Sequence, residues 1–208
     1  MLPPSDLSPR AARTRTALIA AGFELLVSKP IDAIAIDEVV ARAGVAKGSF
    51  FNHFDDKHAF AAAIAAEVRL ELEDEVARAN RDVTNPVERI ATGMRVGAAF
   101  ALRNPKRTAV LLRGAASVVE PSHPLNRGVA ADFDQAARRG MISDEARRAG
   151  VLYWLGLCQA IMTSLLHAPA GTAQARARVR EMMVLGLTGI GVKGRDATAI
   201  SDRCCRAL

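Results

Sequence analysis

Along residues 9–28 the apolar positions Leu18, Ala21 and Leu25 fall on a helical period, with Ile19, Phe23 and Leu26 beside them. Lys29-Pro30 stops that run. Two short helical stretches follow, about 37–43 and 47–53, with Gly44 between them at a place suited to a left-handed turn. Two short helices joined by a three- or four-residue turn containing glycine predict a helix-turn-helix. A long helix is expected over 57–80, and its acidic run at 71–75 reads as a solvated face. Asn85-Pro86 opens the next helix, with proline at the first helical position, and Asn104-Pro105 closes it. A stretch over 106–119 ends at Glu120-Pro121, and another runs from Pro124 to Arg139-Gly140. Asp144 is placed to cap a helix reaching His167, residues 168–171 break it, and 172–189 forms the last. No strand pattern and no repeat interrupts this series, so the expectation is an all-α chain of about nine helices.

Segments 151–166 and 182–192 carry no charge and are apolar on nearly every face. A helix that is hydrophobic all round must be buried, in a core or against another chain. Two such helices are hard to hide in one domain of this size, which points to a subunit interface. Leu155, Gly156, Gln159, Ala160, Met183, Gly186, Leu187 and Ile190 are its expected residues, the small ones allowing close approach. Two ordinary core helices are the alternative. The uncharged run 151–167 falls short of the roughly 20 residues usual for a membrane span and includes Gln159, Thr163 and Ser164, so a buried helix is expected and no membrane partner.

Composition adds little to this pattern and removes several classes. Half of the residues are apolar but only 4% are aromatic, which suits helices. Residues 1–9 are rich in proline and serine and are expected to be disordered; no apolar core in 1–15 suggests a signal peptide. Three cysteines, two of them adjacent, give no disulfide framework, so the cytoplasm is the expected compartment. The net charge of +6 is compatible with nucleic-acid binding without establishing it. Residues 1–57 hold seven basic and seven acidic residues, so charge alone does not mark this region.

What marks it is the run Ile36-Asp-Glu-Val-Val-Ala-Arg-Ala-Gly-Val-Ala-Lys-Gly-Ser-Phe-Phe-Asn-His-Phe-Asp-Asp-Lys57. Gly44-Val45, Lys47-Gly48-Ser49, the aromatic cluster through Phe54, and Lys57 resemble the signature of the TetR family at matching spacing, over about residues 13–64. The resemblance implies an N-terminal helix-turn-helix that reads double-stranded DNA, and a C-terminal helical domain for effector binding and dimerisation. It implies DNA contact by Lys47, Gly48, Ser49, Phe51, Asn52, His53 and Lys57. Physical reasons support these positions. Gly48 lets the backbone approach phosphate at a helix start, and Ser49 offers a hydroxyl there. Lys47 on the first turn can reach base edges or phosphate. Asn52 and His53 are small polar groups for the DNA surface. Phe50 and Phe54 take core positions.

The chain also departs from the pattern. Phe51 stands where the family most often has a tyrosine, which removes one hydroxyl contact. Ala35 and Ala46 replace the usual capping threonine and serine, each at a cost of about 0.5–2 kcal/mol against a good cap. Asp37 can accept from a cytosine amine but repels phosphate. Arg10, Arg13 and Arg15 are candidates for a flexible minor-groove arm or a solvated cluster.

By the same resemblance a ligand cavity is expected among the middle helices, with Met94, Phe100, Leu111, Phe133, Tyr153, Trp154, Cys158 and Met162 as candidate lining residues. Few acids or histidines stand among them, so a small, largely apolar effector is expected. The domains are set at 1–56 for the arm and reading head, 57–192 for the effector and dimer domain, and 193–208 for a flexible tail. Gly186 to Gly194 is glycine-rich but lacks the strand and ending of a phosphate loop. The four histidines show no metal-ligand spacing with the cysteines, so no metal and no cofactor is expected. No converging acid, base or nucleophile supports an enzyme. The function expected is a ligand-responsive transcriptional regulator: a homodimeric repressor released from its operator by the effector. The alternative is an apolar-ligand carrier or interaction protein with a degenerate reading head.

Overall fold

The computed structural model describes residues 8–113, 123–167 and 171–208. Among the described residues there are ten α-helices and no strand. The described residues divide into two compact units, one of residues 8–68 and 109–113, the other of 69–108, 123–167 and 171–208.

The first unit is built on α1 (Pro9–Ser28), α2 (Ile36–Ala43), α3 (Lys47–Phe51) and the start of α4 (Lys57–Ala79). Ser8 caps α1 by accepting from the Ala11 amide at 3.3 Å, and Pro9 opens it. Ala35 and Ala46 make no side-chain cap, as their composition dictates. Gly44 ends α2 at φ 65° and ψ 35°, a conformation that carries no Cβ penalty only in glycine. The Val45 amide then reaches back to the Val40 carbonyl at 3.0 Å, so the chain reverses tightly into α3. The core is aliphatic on α1 and α2 (Leu18, Leu25, Val39) and aromatic beneath α3, where Phe50, Phe54 and Phe60 pack with ring centroids 4.8–5.6 Å apart. Arg10 and Arg13 lie within α1 as exposed helical residues and form no arm.

The second unit surrounds α5 (Pro86–Arg103), which contacts α7 (Arg127–Arg138), α8 (Asp144–His167), α9 (Thr172–Gly189) and α10 (Gly194–Cys205). The Asn85 side chain caps α5 by accepting from the amides of Val87 at 2.9 Å and Glu88 at 3.3 Å. Its central place follows from apolar residues on more than one face, among them Ile90, Met94, Val96 and Phe100. The helix α6 is Pro105–Arg113; the expected extension to 119 lies outside the described residues. So does the expected disorder of residues 1–7 and most of the break at 168–171.

Residues 194–205 correct the expectation of a flexible tail. They form α10, whose Ala197, Ile200, Ser201 and Cys205 are buried. Arg180 donates to Asp202 at 2.5 Å, and Arg203 pairs with Glu88 on α5. The buried positions are spaced i, i+3, i+4 and i+8, a helical stripe that the charged residues between them obscure.

Candidate functional site

In the first unit, burial of Phe50 fixes which way α3 faces. Lys47, Gly48, Phe51 and Asn52 are turned to solvent, and Ser49 and His53 are half-buried. Phe51 is 53% exposed and stands edge-to-face on Phe50, with centroids 5.4 Å apart. The Lys47 ammonium is held 2.8 Å from the Asp37 carboxylate, both exposed. Nothing lies within 4 Å of where a Gly48 Cβ would stand. Lys57 is tied into the fold, donating to the Asp32 carbonyl at 3.1 Å with the Asp32 carboxylate 3.7 Å away. Asp56 caps α4 by accepting from the amides of His58 and Ala59, each at 2.8 Å. Those bonds, Ala59 first, hold the Asp56 carboxyl below its usual range. Burial and then the charge of Arg15 lower the pKa of His53. Arg15 itself pairs with Glu67 at 2.8 Å and lies 5.6 Å over the Phe54 ring.

The second unit holds a cavity of about 160 Å³. The second half of α4 supplies Arg69, Leu72, Glu73 and Val76; α5 supplies Arg89, Ile90, Gly93 and Gly97; α7 supplies Gly128, Val129 and Asp132; α8 supplies Trp154, Leu155, Cys158 and Met162. Glycines make the room: no atom lies within 4 Å of a Cβ built at Gly93 or Gly128. Four charged residues stand in this wall as two pairs, Arg69 with Glu73 at 2.5 Å and Arg89 with Asp132 at 2.6 Å. Arg69 also donates to the Asn126 amide oxygen at 3.0 Å, and Arg89 to the Asn80 carbonyl at 2.9 Å. Burial raises the pKa of both Glu73 and Asp132, and their arginines offset this in part. Burial also pushes the Cys158 thiol up to about 12, so the thiolate that a redox sensor needs is suppressed.

Residues 18–64, the segment that builds the aromatic core and presents α3, match the family described as bacterial regulatory proteins, tetR family. Residues 18–64 form a tetR-family domain. No curated protein matches it. Among solved structures it is similar to a putative tetR-family transcription regulator from Shewanella sp. PV-4, at 17% identity over 86% of this chain and 99% of that one, with a TM-score of 0.75. It is similar to RolR in complex with resorcinol, at 18% identity over 93% and 95% of the two chains, with a TM-score of 0.63. It is also similar to AibR in complex with isovaleryl coenzyme A and operator DNA, at 19% identity over 81% and 97%, with a TM-score of 0.57. These likenesses extend the fold of the tetR-family regulators across both units.

Against this tetR-family frame the expected site residues divide. The reading-head residues from Lys47 to His53 come together on and just after α3, with Lys57 at the start of α4. Of the expected cavity residues, Trp154, Cys158 and Met162 line it. Met94, Phe100 and Phe133 are packed core, Leu111 belongs to the first unit, and Tyr153 is exposed over Gly189. The polar wall of Arg69, Glu73, Asn80, Arg89 and Asp132 was missed because charged residues read as surface. Gly93 and Gly97, four apart inside a helix, were the available signal.

The expected interface set also needs correction. Leu155, Met183, Gly186, Leu187 and Ile190 are buried within the protomer. A Cβ on Gly186 would stand 2.8 Å from Trp154 and Leu157, so its small size serves packing of α9 on α8 inside one chain. Gly156 and Ala160 do lie on the surface and Gln159 is half-buried. Beside them Leu152 and Tyr153 on α8 and Leu185 on α9 are exposed, Leu185 by 66%.

Proposed function

We propose that this chain is a ligand-responsive repressor that binds operator DNA as a homodimer and leaves it when a small effector occupies the cavity. The observation that carries the reading is α3: a short helix in the family-matched segment that turns Lys47, Gly48, Phe51 and Asn52 outward over an aromatic core. Such an array can reach phosphate and base edges in a major groove, with Phe51 available to a thymine methyl. Ser49, His53 and Lys57 flank it. The AibR likeness, a complex with operator DNA, supports the same use. The apolar face of Leu152, Tyr153, Gly156, Ala160 and Leu185 on α8 and α9 supports self-association, with Gln159 at its margin. Two reading heads must then sit about one helical turn, roughly 34–36 Å, apart on DNA.

The effector reading rests on the cavity and on α4. This one helix supplies Phe60 and Ile64 to the core of the first unit and Arg69, Leu72 and Glu73 to the cavity wall. A ligand that favours one placement of α4 shifts the population competent to bind DNA. RolR with resorcinol and AibR with isovaleryl coenzyme A support a ligand in this fold. The helix α8 is long and apolar enough to cross a membrane. Trp154, Ile161, Met162 and Leu165 face protein instead, which supports a core helix and a cytoplasmic regulator.

The test is binding of the purified protein to fragments of its own upstream DNA, with nonspecific competitor and at stated salt. Wild type is expected to give a competitor-resistant complex. Lys47→Ala weakens it and reduces the salt slope by about 1, and Phe51→Ala weakens it without changing the slope. Normal operator binding by both variants would overturn this reading of α3. Uniformly weak, salt-quenched binding to every fragment would favour the carrier reading.

A further inference from the structure

Resting on the reading of α3 as a DNA-reading helix, we propose that Lys47 and Asp37 act as one unit that selects a G·C base pair in each half-site. Lys47 donates to guanine N7 and O6, while Asp37 accepts from the N4 amine of the paired cytosine. Lys47 opens α3, Asp37 lies in the first turn of α2, and Nζ of the one stands 2.8 Å from Oδ1 of the other. A donor and an acceptor are thus presented side by side, with the two side chains 58% and 72% exposed. The fold gains little from this contact, because an exposed ion pair is worth at most about 1 kcal/mol. On a surface that meets phosphate, a carboxylate also lowers affinity by repulsion. Gly48, the next residue along α3, adds no side chain beside the pair, and nothing lies within 4 Å of where its Cβ would stand. The floor of a groove can therefore approach both groups together.

The edges of the base pairs decide which one fits. Across the major groove G·C presents the acceptors N7 and O6 of guanine, then the N4 donor of cytosine. O6 and N4 share a base-pairing hydrogen bond, a spacing of about 2.9–3.0 Å, close to the 2.8 Å between Lys47 Nζ and Asp37 Oδ1. With the ammonium over O6, its outer side meets a second acceptor, N7. With the carboxylate over N4, its outer side meets only the C5–H of cytosine. T·A offers a similar neighbouring acceptor and donor, thymine O4 and adenine N6, but exchanges the flanks. The thymine methyl then lies beside the ammonium and leaves its donors unused, and the adenine N7 lone pair repels the carboxylate. A lone ammonium would accept guanine O6, adenine N7 or thymine O4 alike, since it only donates. Selection comes from the pair.

The experiment is selection of bound duplexes from a random DNA library by the full-length protein, followed by anisotropy titration of the selected operator and its single-base-pair variants at stated salt. Wild type is expected to prefer G·C over A·T at least about tenfold at one position of each half-site, a difference of about 1.4 kcal/mol. Asp37→Asn keeps the cytosine contact through its amide oxygen and gains a donor for adenine N7. Binding of the operator therefore rises, binding of the A·T variant rises more, and the preference at that position alone falls to within about threefold. Replacing that guanine by 7-deazaguanine, which lacks the N7 acceptor, weakens wild type and leaves Lys47→Ala unaffected. An unchanged base preference in Asp37→Asn would leave the carboxylate to the start of α2 and overturn the proposal. So would a loss of preference spread over the whole site, or a wild-type protein indifferent to 7-deazaguanine. The two readings fail separately. A selected operator whose base preferences ignore Asp37 removes only the role of the pair, whereas enrichment of no sequence removes the DNA-reading helix and the pair with it.

Discussion

Gly22, in the middle of α1, faces the ring of Phe60. A Cβ at this position would lie 2.2 Å from Phe60 Cζ, 2.5 Å from Cε1 and 2.7 Å from Ile64 Cδ1. Carbon atoms pack at about 3.5–4.0 Å, so Gly22→Ala requires a displacement of more than an ångström. The ring has nowhere to go: Phe60 is 1% exposed and wedged between Phe50 and Phe54, with centroids 5.2 and 4.8 Å away. Two effects then compete. Alanine in a helix interior gains about 1 kcal/mol over glycine, while overpacking a tight core costs typically 1–3 kcal/mol. With a contact this short the upper end applies, giving a net loss of about 2 kcal/mol. Urea unfolding followed by far-UV circular dichroism reads it as a lower midpoint. Adding Phe60→Leu removes the ring edge, so the double variant should lose less than the two single variants summed, a coupling of about 0.5–3 kcal/mol. If Gly22→Ala unfolds at the same or a higher urea concentration than wild type, the close approach of α1 to Phe60 is refuted, and with it the packing that seats Phe50 beneath α3.

Asp37→Asn frees Lys47 from its 2.8 Å partner and removes a negative charge from the surface proposed to bind DNA. Operator affinity at low salt should rise about threefold to tenfold by fluorescence anisotropy, with thermal stability nearly unchanged because the pair is exposed; an unchanged or lower affinity would refute the pairing's relevance. His53 is held below its ordinary pKa of 6.5, so the unfolded chain binds more protons than the folded one below that pH. Its contribution to stability is therefore lost as pH falls from 6.5 through the lower pKa of the folded state, and His53→Gln should flatten the fall in melting temperature over that window; an unaltered pH profile would count against it. Ile200 is 5% exposed on α10, so Ile200→Ala should cost about 2–4 kcal/mol in urea unfolding. A flexible tail would show no change.

How much of this was legible beforehand depended on whether the deciding interaction was local. Proline and asparagine punctuation placed most helix ends, because caps and breakers act within one turn of the chain. The run from Ile36 to Lys57 was legible for the same reason. Gly44, the core spacing of Phe50 and Phe54, and the exposed Lys47 and Phe51 all follow from a turn and a short helix whose geometry is set within about twenty residues. The proposed self-association face on α8 and α9 was legible only as a pair of apolar helices. Which face turns outward depends on where α5 packs, and that put Leu155 and Met183 inside the protomer and left Leu152 and Leu185 outside.

The sequence by itself determined the helical class, the helix-turn-helix segment, and the family whose model that segment matches, since each rests on neighbours along the chain. The tertiary structure alone decided the cavity and α10. Arg69 and Asn126 are 57 residues apart, and Arg89 and Asp132 are 43 apart, so no local pattern marks them as partners. Packing brought each arginine to its carboxylate or amide and made burial of four charges tolerable. In the same way Ile200 and Cys205 became core residues once α5 and α9 offered a groove, converting a charged stretch of low hydrophobicity into a packed helix.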